Sequence, residues 1–252
     1  MSNNPFESPE VPDTIGLPPR RLGTTLLKIF LLVAIGFVLV ALLLPGLQRR
    51  DVARRTQCKN NLKQIGLALH NYHDDYGAFP PAYTVDSEGR PLHSWRTLLL
   101  PYLEHSNLYQ EIDFSKPWND PVNAAVFEVS INEFQCPSLS IPKNHTTYLG
   151  VNGPDSFFNA NAARIISEIT DGTSNTLTVV EVPYDQSVPW MAPQDADEAS
   201  ILQLTEDSQL AHTGGYQGLI ADGSVRFISV RLDQSTLRAL LTISAGDVVG
   251  EF

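Results

Sequence analysis

The stretch that most constrains this chain is GTTLLKIFLLVAIGFVLVALLLPG, residues 23–46. From Ile29 to Leu44 it runs 16 residues without a charge. A helix rises about 1.5 Å per residue, so this run covers roughly 24 Å, against a hydrocarbon core of about 30 Å. Thr24–Lys28 and Gly46–Leu47 close the gap when the Lys28 ammonium snorkels to the headgroups. A secretory signal would have a shorter apolar region followed by a small-x-small cleavage site, whereas LLLPGLQRR follows here. The sequence therefore predicts a transmembrane helix over 23–47. Before it, residues 1–22 carry Pro5, Pro9, Pro12, Pro18 and Pro19 with almost no apolar period, the pattern of a disordered tail.

Charge is distributed unevenly around that helix. Residues 1–59 carry eight Lys/Arg against four Asp/Glu, while residues 60–252 carry nine against 24, for a chain net of −11. The acidic remainder has no basic footprint, which excludes nucleic acid as an expected partner. Arg20, Arg21 and Lys28 precede or enter the run, and Arg49, Arg50, Arg54, Arg55 and Lys59 follow it. Counted alone, that bias puts the C-terminal part in the cytoplasm. Cys58 and Cys136 are too few for a disulfide scaffold and have no C-x-x-C spacing. They fit one bridge in an oxidising compartment, or two buried thiols.

Beyond Pro45, which is expected to kink the helix, Cys58, Leu62, Ile65, Leu69, Tyr72 and Tyr76 recur at steps of three and four. That spacing predicts an apolar stripe opposite Lys59, Lys63 and Asp74, ended by Gly77 and Pro80–Pro81. Residues 94–112 read as two short helices broken at Pro101. The TLTVVE stretch (residues 176–181) reads as a strand, and Asp222-Gly223 as the turn of a hairpin over 218–229. Residues 194–207 read as an acidic surface segment, and 233–243 as a short closing helix. The expected class is α+β. A long N-terminal helix, transmembrane over 23–47 and amphipathic over 48–77, packs on an antiparallel β-sheet domain with short helices, 78–252.

Six stretches occur in order: ARRTQCKNNLKQIGLALHNYHDDYGAFPPAY, SWRTLLLPYLEHSNLY, PWND, FQCPS, ISEITDGTSNTLTVVE and HTGGYQGLIADGSVRFIS. Together they resemble a family of prepilin-like membrane proteins of unknown function that is expanded in planctomycetes, over roughly residues 23–232. The resemblance implies a pilin-like fold with an N-terminal segment similar to G-F-T-L-x-E. Aligned on Leu42–Pro45, Gly23 precedes the prepilin cleavage point, Thr24 stands for the family's Phe, and Lys28 stands for its Glu. That Glu is thought to pair with a neighbour's freed amino terminus inside the membrane. Lys28 reverses its charge, so filament assembly is not expected. The resemblance also implies a Cys58–Cys136 disulfide. It implies an exterior domain as well, which reverses the orientation given by the basic residues and puts the C-terminal domain on the periplasmic face of the inner membrane.

Chemical motifs are sparse. His70, His73 and Asp74 have metal-ligand spacing on a helix but no H-E-x-x-H pattern, and they read as its polar shoulder. Asp171 and Asn175 are calcium candidates in an oxygen-rich turn. Ser224, Asp222 and His212 contain the residue types of a hydrolase triad, yet no G-x-S-x-G is present, so no catalytic residue is expected. His212-Thr213-Gly214-Gly215 reads as a Gly-dependent close approach of backbone. Of the aromatics, Trp95, Tyr102 and Tyr109 read as core. Trp118 and Trp190 read as partly exposed and, with His212 and Asp222, mark a possible ligand surface. The expected function is a membrane-tethered, pseudopilin-like structural or interaction protein without a cofactor, whose expected partners are the lipid bilayer and other pilin-like subunits or secretion-type machinery. The alternative is a tethered solute- or glycan-binding module.

Overall fold

The computed structural model describes residues 22–160 and 162–246, with side chains over 26–160 and 162–246 except 40–51. The expected tail lies outside this set, and Gly23, Thr24 and Pro45 are described only as helical backbone. The chain divides into two units, Met1–Arg49 and Arg50–Phe252. Helix α1 is assigned continuously over Leu22–Tyr76, through Pro45.

In the first unit, the apolar side chains of α1 stand open. Phe30, Leu31, Leu32 and Val33 are all exposed, at 57–71%. Successive helical residues are about 100° apart, so four consecutive exposed apolar residues place apolar surface around the whole circumference. Ile35, Phe37, Val38 and Leu39 continue it. Among the described residues, no helix is long and apolar enough to cross a membrane.

In the second unit, the predicted stripe is buried: Cys58, Leu62 and Ile65 at 0% exposure and Leu69 at 2%. Lys59, Lys63 and Asp74 face outward. Tyr76 departs from the expectation: in the last turn of the helix it is 65% exposed, with its ring centroid 4.4 Å from that of Tyr72. The Gly77 N–H donates to the His73 carbonyl at φ +73°, the left-handed cap the sequence predicts.

The remaining elements are β1 (Tyr83–Val85), β2 (Pro91–Ser94), α2 (Trp95–Leu98), α3 (Ser106–Gln110), α4 (Ala124–Phe127), β3 (His145–Thr146), β4 (Tyr148–Gly150), β5 (Leu177–Glu181), β6 (Val188–Pro189), α5 (Glu198–Leu202), β7 (Gly215–Ile220), β8 (Val225–Ser229) and α6 (Gln234–Leu241). Pro101 separates α2 from α3 by opening a 3₁₀ turn, Leu100–Leu103, as expected. The central sheet is antiparallel, ordered β4-β5-β7-β8, beside two small two-stranded ladders. Asp222-Gly223 makes the β7–β8 turn, pairing Leu219 with Val225.

Side chains alternate across that sheet. Tyr148, Val179, Leu219 and Val225 point into a core shared with α1, whereas Leu149, Val180, Ile220 and Ile228 point into a second core closed by α5 and α6. Because both faces are covered, β5 and β7 are buried at every position, the polar Thr178, Glu181 and Gln217 included.

The two ladders and the sheet meet at Arg96, which is completely buried. Its guanidinium donates to the Trp190, Tyr148, Ala192 and Gln194 carbonyls and to Asp195 Oδ1 at 2.7 Å. Asp195 Oδ1 also accepts from Trp95 Nε1 and the Gly150 N–H. The segment read as acidic surface therefore has Asp195 inside, 1% exposed, with Ala196, Ile201 and Leu204 buried beside it. Removing one partner of a buried pair leaves a charge without compensation, which costs about 3–5 kcal/mol. Arg96→Ala is expected to lose about that much in denaturant unfolding. Arg96→Lys should not restore it, because an ammonium cannot reproduce the five-bond fork. A loss near zero for either would contradict this role.

Candidate functional site

Glu181 ends β5 between Tyr148 of β4 and Gln217 of β7. Two residues after Val179, it falls on the α1 side of the sheet, so its carboxyl lies under that helix with no exposed surface. His212 reaches the same place from the loop before β7. The tight approach expected of His212–Gly215 is present: His212 bridges to Gly215, Gly214 sits at φ +80°, and a Cβ on Gly215 would collide with the Ile228 carbonyl.

His212 Nε2 lies 3.3 Å from Glu181 Oε2. The distance is that of an ion pair, but the alignment is not that of a hydrogen bond, and both His212 Nε2 and Glu181 Oε1 are buried without a hydrogen-bond partner. The Gln217 N–H donates to Glu181 Oε2 at 3.4 Å. Above the pair, Cys58 of α1 is joined to Cys136 by a disulfide, with Cα atoms 5.0 Å apart. One turn along α1, Asn61 Nδ2 donates to the Asn132 and Gln135 carbonyls, pinning the helix to the segment that carries Cys136. One ligand atom from each of Cys58, Cys136, Glu181 and His212 lies within 4.8 Å of the other three.

An open cleft of about 380 Å³ borders this cluster, lined by Val52, Arg54, Arg55, Ser138, Ala211, His212 and Thr213. The Arg55 guanidinium sits 4.0 Å over the Phe227 ring. Burial pushes the Glu181 carboxyl up to about 7, against the pull of the Gln217 N–H and the Arg55 charge. Burial, then the Arg55 charge, lowers His212 to about 4. The pair thus holds one proton between about pH 4 and 7, wherever in the pair that proton resides.

The other expected residues are scattered. Trp190 is a correction: its indole is 1% exposed, stacked on Phe134 and donating to the Val129 carbonyl, because VPW lies at the end of β6 against the α1-side core. Trp118 is half-buried, edge-on to Phe127. Asp222 is exposed in the hairpin turn, where it accepts the Ser224 N–H, while His212 is paired with Glu181, so no triad forms from these three. Asp171 accepts the Ala245 and Gly246 N–H groups with its two oxygens, fastening the chain beyond α6, whereas Asn175 donates to the Asp171 carbonyl within its own turn. His70 bonds the Ala221 carbonyl and His73 packs on Phe79. Lys28 is exposed on α1.

Glu181 escaped sequence reading, although a signal was there. A lone carboxylate ending the apolar run LTVV suggests a charge carried inward, and only the fold shows that His212 and both cysteines meet it. Residues 48–210 match the model of a family described as "Protein of unknown function (DUF1559)". No curated protein matches the chain. No solved structure matches it either.

Folding keeps a proton on Glu181 that the unfolded chain, with a carboxyl near 4.5, gives up. Its contribution to stability is full below pH 4.5 and is lost as pH rises to about 7, a change on the order of 3 kcal/mol. Unfolding the oxidised chain at pH 5 and pH 8 should therefore show Glu181→Gln gaining on the wild type as pH rises. A difference that stays constant across that range would contradict the buried, proton-holding carboxyl.

Proposed function

We propose that this chain, which belongs to that family of proteins of unknown function, is a membrane-tethered, pseudopilin-like structural or interaction protein. Helix α1 is its anchor in the inner membrane, and the unit from Arg50 onward lies on the periplasmic side. The observation that carries this reading is the apolar surface on all sides of α1 from Leu26 to Leu39. Exposed apolar area of that extent requires a cover, and lipid covers a helix from every direction. The sequence continues the apolar run through Leu44, to the length a span requires. The disulfide favours an oxidising compartment for Cys58 and Cys136, which supports the periplasmic orientation.

The prepilin-like character rests on the resemblance of residues 23–46 and on the fusion of an apolar and an amphipathic half in one helix. Lys28, where such helices have Glu, opposes subunit pairing in the membrane, because two cations would meet in low dielectric. The reading is of an anchor without filament assembly and without a catalytic step. The cleft beside His212 favours a second reading, a tethered solute-binding module, because Arg54 and Arg55 line it with positive charge suited to an anionic solute.

Intact mass of the chain isolated from membranes tests the first reading. It should show residues 1–23 retained and Thr24 without N-methylation. A product beginning at an N-methylated Thr24 would restore prepilin processing. Single cysteines along Leu31–Leu39 should give no disulfide-linked dimers in the membrane, and abundant linkage on one helix face would contradict the monomeric anchor. A rise in melting temperature with small anionic solutes, abolished by Arg55→Ala, would favour the second reading.

A further inference from the structure

The cluster under α1 has the composition of a metal site that the disulfide keeps closed. We propose that with the Cys58–Cys136 bridge open, the two sulfurs, His212 Nε2 and a Glu181 carboxylate oxygen bind one zinc-like divalent cation in a tetrahedral site. One ligand atom from each already lies within 4.8 Å of the others. Zinc–nitrogen and zinc–oxygen bonds of about 2.0 Å at the tetrahedral angle place their ends about 3.3 Å apart. His212 Nε2 and Glu181 Oε2 are 3.3 Å apart, and the histidine nitrogen makes no hydrogen bond that a metal would have to displace. Two zinc–sulfur bonds of about 2.3 Å require sulfurs about 3.8 Å apart, so breaking the bridge and turning the two side chains is the principal movement.

Glu181 and His212 are the second observation, independent of the cysteines. Both are more than nine-tenths buried, and each has a polar atom with no hydrogen-bond partner. An orphaned buried polar atom is costly, and a bound cation would satisfy it. Charge also fits: two thiolates and one carboxylate around a divalent ion leave a net of one negative charge, which the Arg55 guanidinium is placed to offset. The cleft shares His212 as a wall and gives solvent a route to the cluster.

The reaction balances with an external dithiol as reductant. It gives two electrons and two protons to the bridge and becomes a disulfide itself, while the Cys58–Cys136 bond breaks and two S–H bonds form. Cation binding then releases two thiol protons to solvent, together with the proton the Glu181–His212 pair holds below about pH 7, and forms two metal–sulfur bonds, one metal–nitrogen bond and one metal–oxygen bond. Oxidised and metal-bound states are mutually exclusive, because the same sulfurs make both.

The test uses the full chain in detergent, reduced with a dithiol, desalted without oxygen and titrated with cobalt(II), followed by zinc. One equivalent of cobalt should bind with thiolate-to-metal charge-transfer absorption, which zinc abolishes. The oxidised chain should show none. His212→Ala and Glu181→Gln should each weaken binding by more than about tenfold, at least the cost of disturbing a supporting group at such sites. Where reduction alone loosens the fold, zinc should restore the near-ultraviolet circular dichroism of the oxidised chain. Absence of sulfur–cobalt absorption in the reduced chain, failure of zinc to restore a loosened fold, or wild-type affinity in either variant would each overturn the proposal.

Discussion

Apolar area left in water costs about 25 cal/mol per Å², and helix α1 carries two kinds of it. From Cys58 to Leu69 the apolar residues, Leu67 apart, form one stripe, and the sheet, with its neighbouring loops, covers that stripe completely. From Leu26 to Leu39 they surround the helix and stand exposed. A stripe can be covered by a protein surface packed on one side. A full circumference needs a surrounding medium or several partners. Much else follows from this difference: the sheet has a helix-facing side, the disulfide and Asn61 fix that helix in register, and α5 and α6 close the opposite face.

Two buried pairs of opposite chemistry illustrate how the Arg50–Phe252 unit treats polar groups. Arg96 and Asp195 are surrounded by seven hydrogen bonds, counting their mutual one, and tie α2 to β4 of the central sheet and to the segment beyond β6. That is a structural solution, in which nearly every donor is answered. Glu181 and His212 are as deeply buried and answered far less well. Their carboxyl is held near neutrality and their imidazole is kept from protonation until well below it. Poorly satisfied titratable groups beside a cleft are where function concentrates, so this second pair, with the sulfurs above it, is the chemically interesting end of the molecule.

Local pattern made much of this legible. The three-four spacing from Cys58 to Tyr72, the Gly77 cap, the Pro101 break and the Asp222-Gly223 turn all act within a few residues, and each appears in the fold as read. The misreadings share one cause. Asp195 in an acidic stretch and Trp190 between prolines were assigned to the surface by their neighbours in sequence, whereas their burial is decided by Arg96 and Phe134, far away along the chain. Glu181 and His212 were separated by 31 positions and had no shared motif, so only the β5–β7 pairing brings them together. Long-range pairing is what a pattern in one sequence does not carry.

The central claim is that lipid, and not protein, covers the N-terminal half of α1. Nitroxide labels placed singly at Leu31, Val33, Phe37 and Leu39 of the full chain in lipid bilayers test it directly, because the two native cysteines are bridged and do not compete for the label. The account predicts high accessibility to lipid-soluble oxygen and low accessibility to a water-soluble nickel chelate at all four positions, whichever face of the helix they occupy. Free access for the nickel chelate, or shielding from both reagents along one face, would contradict it.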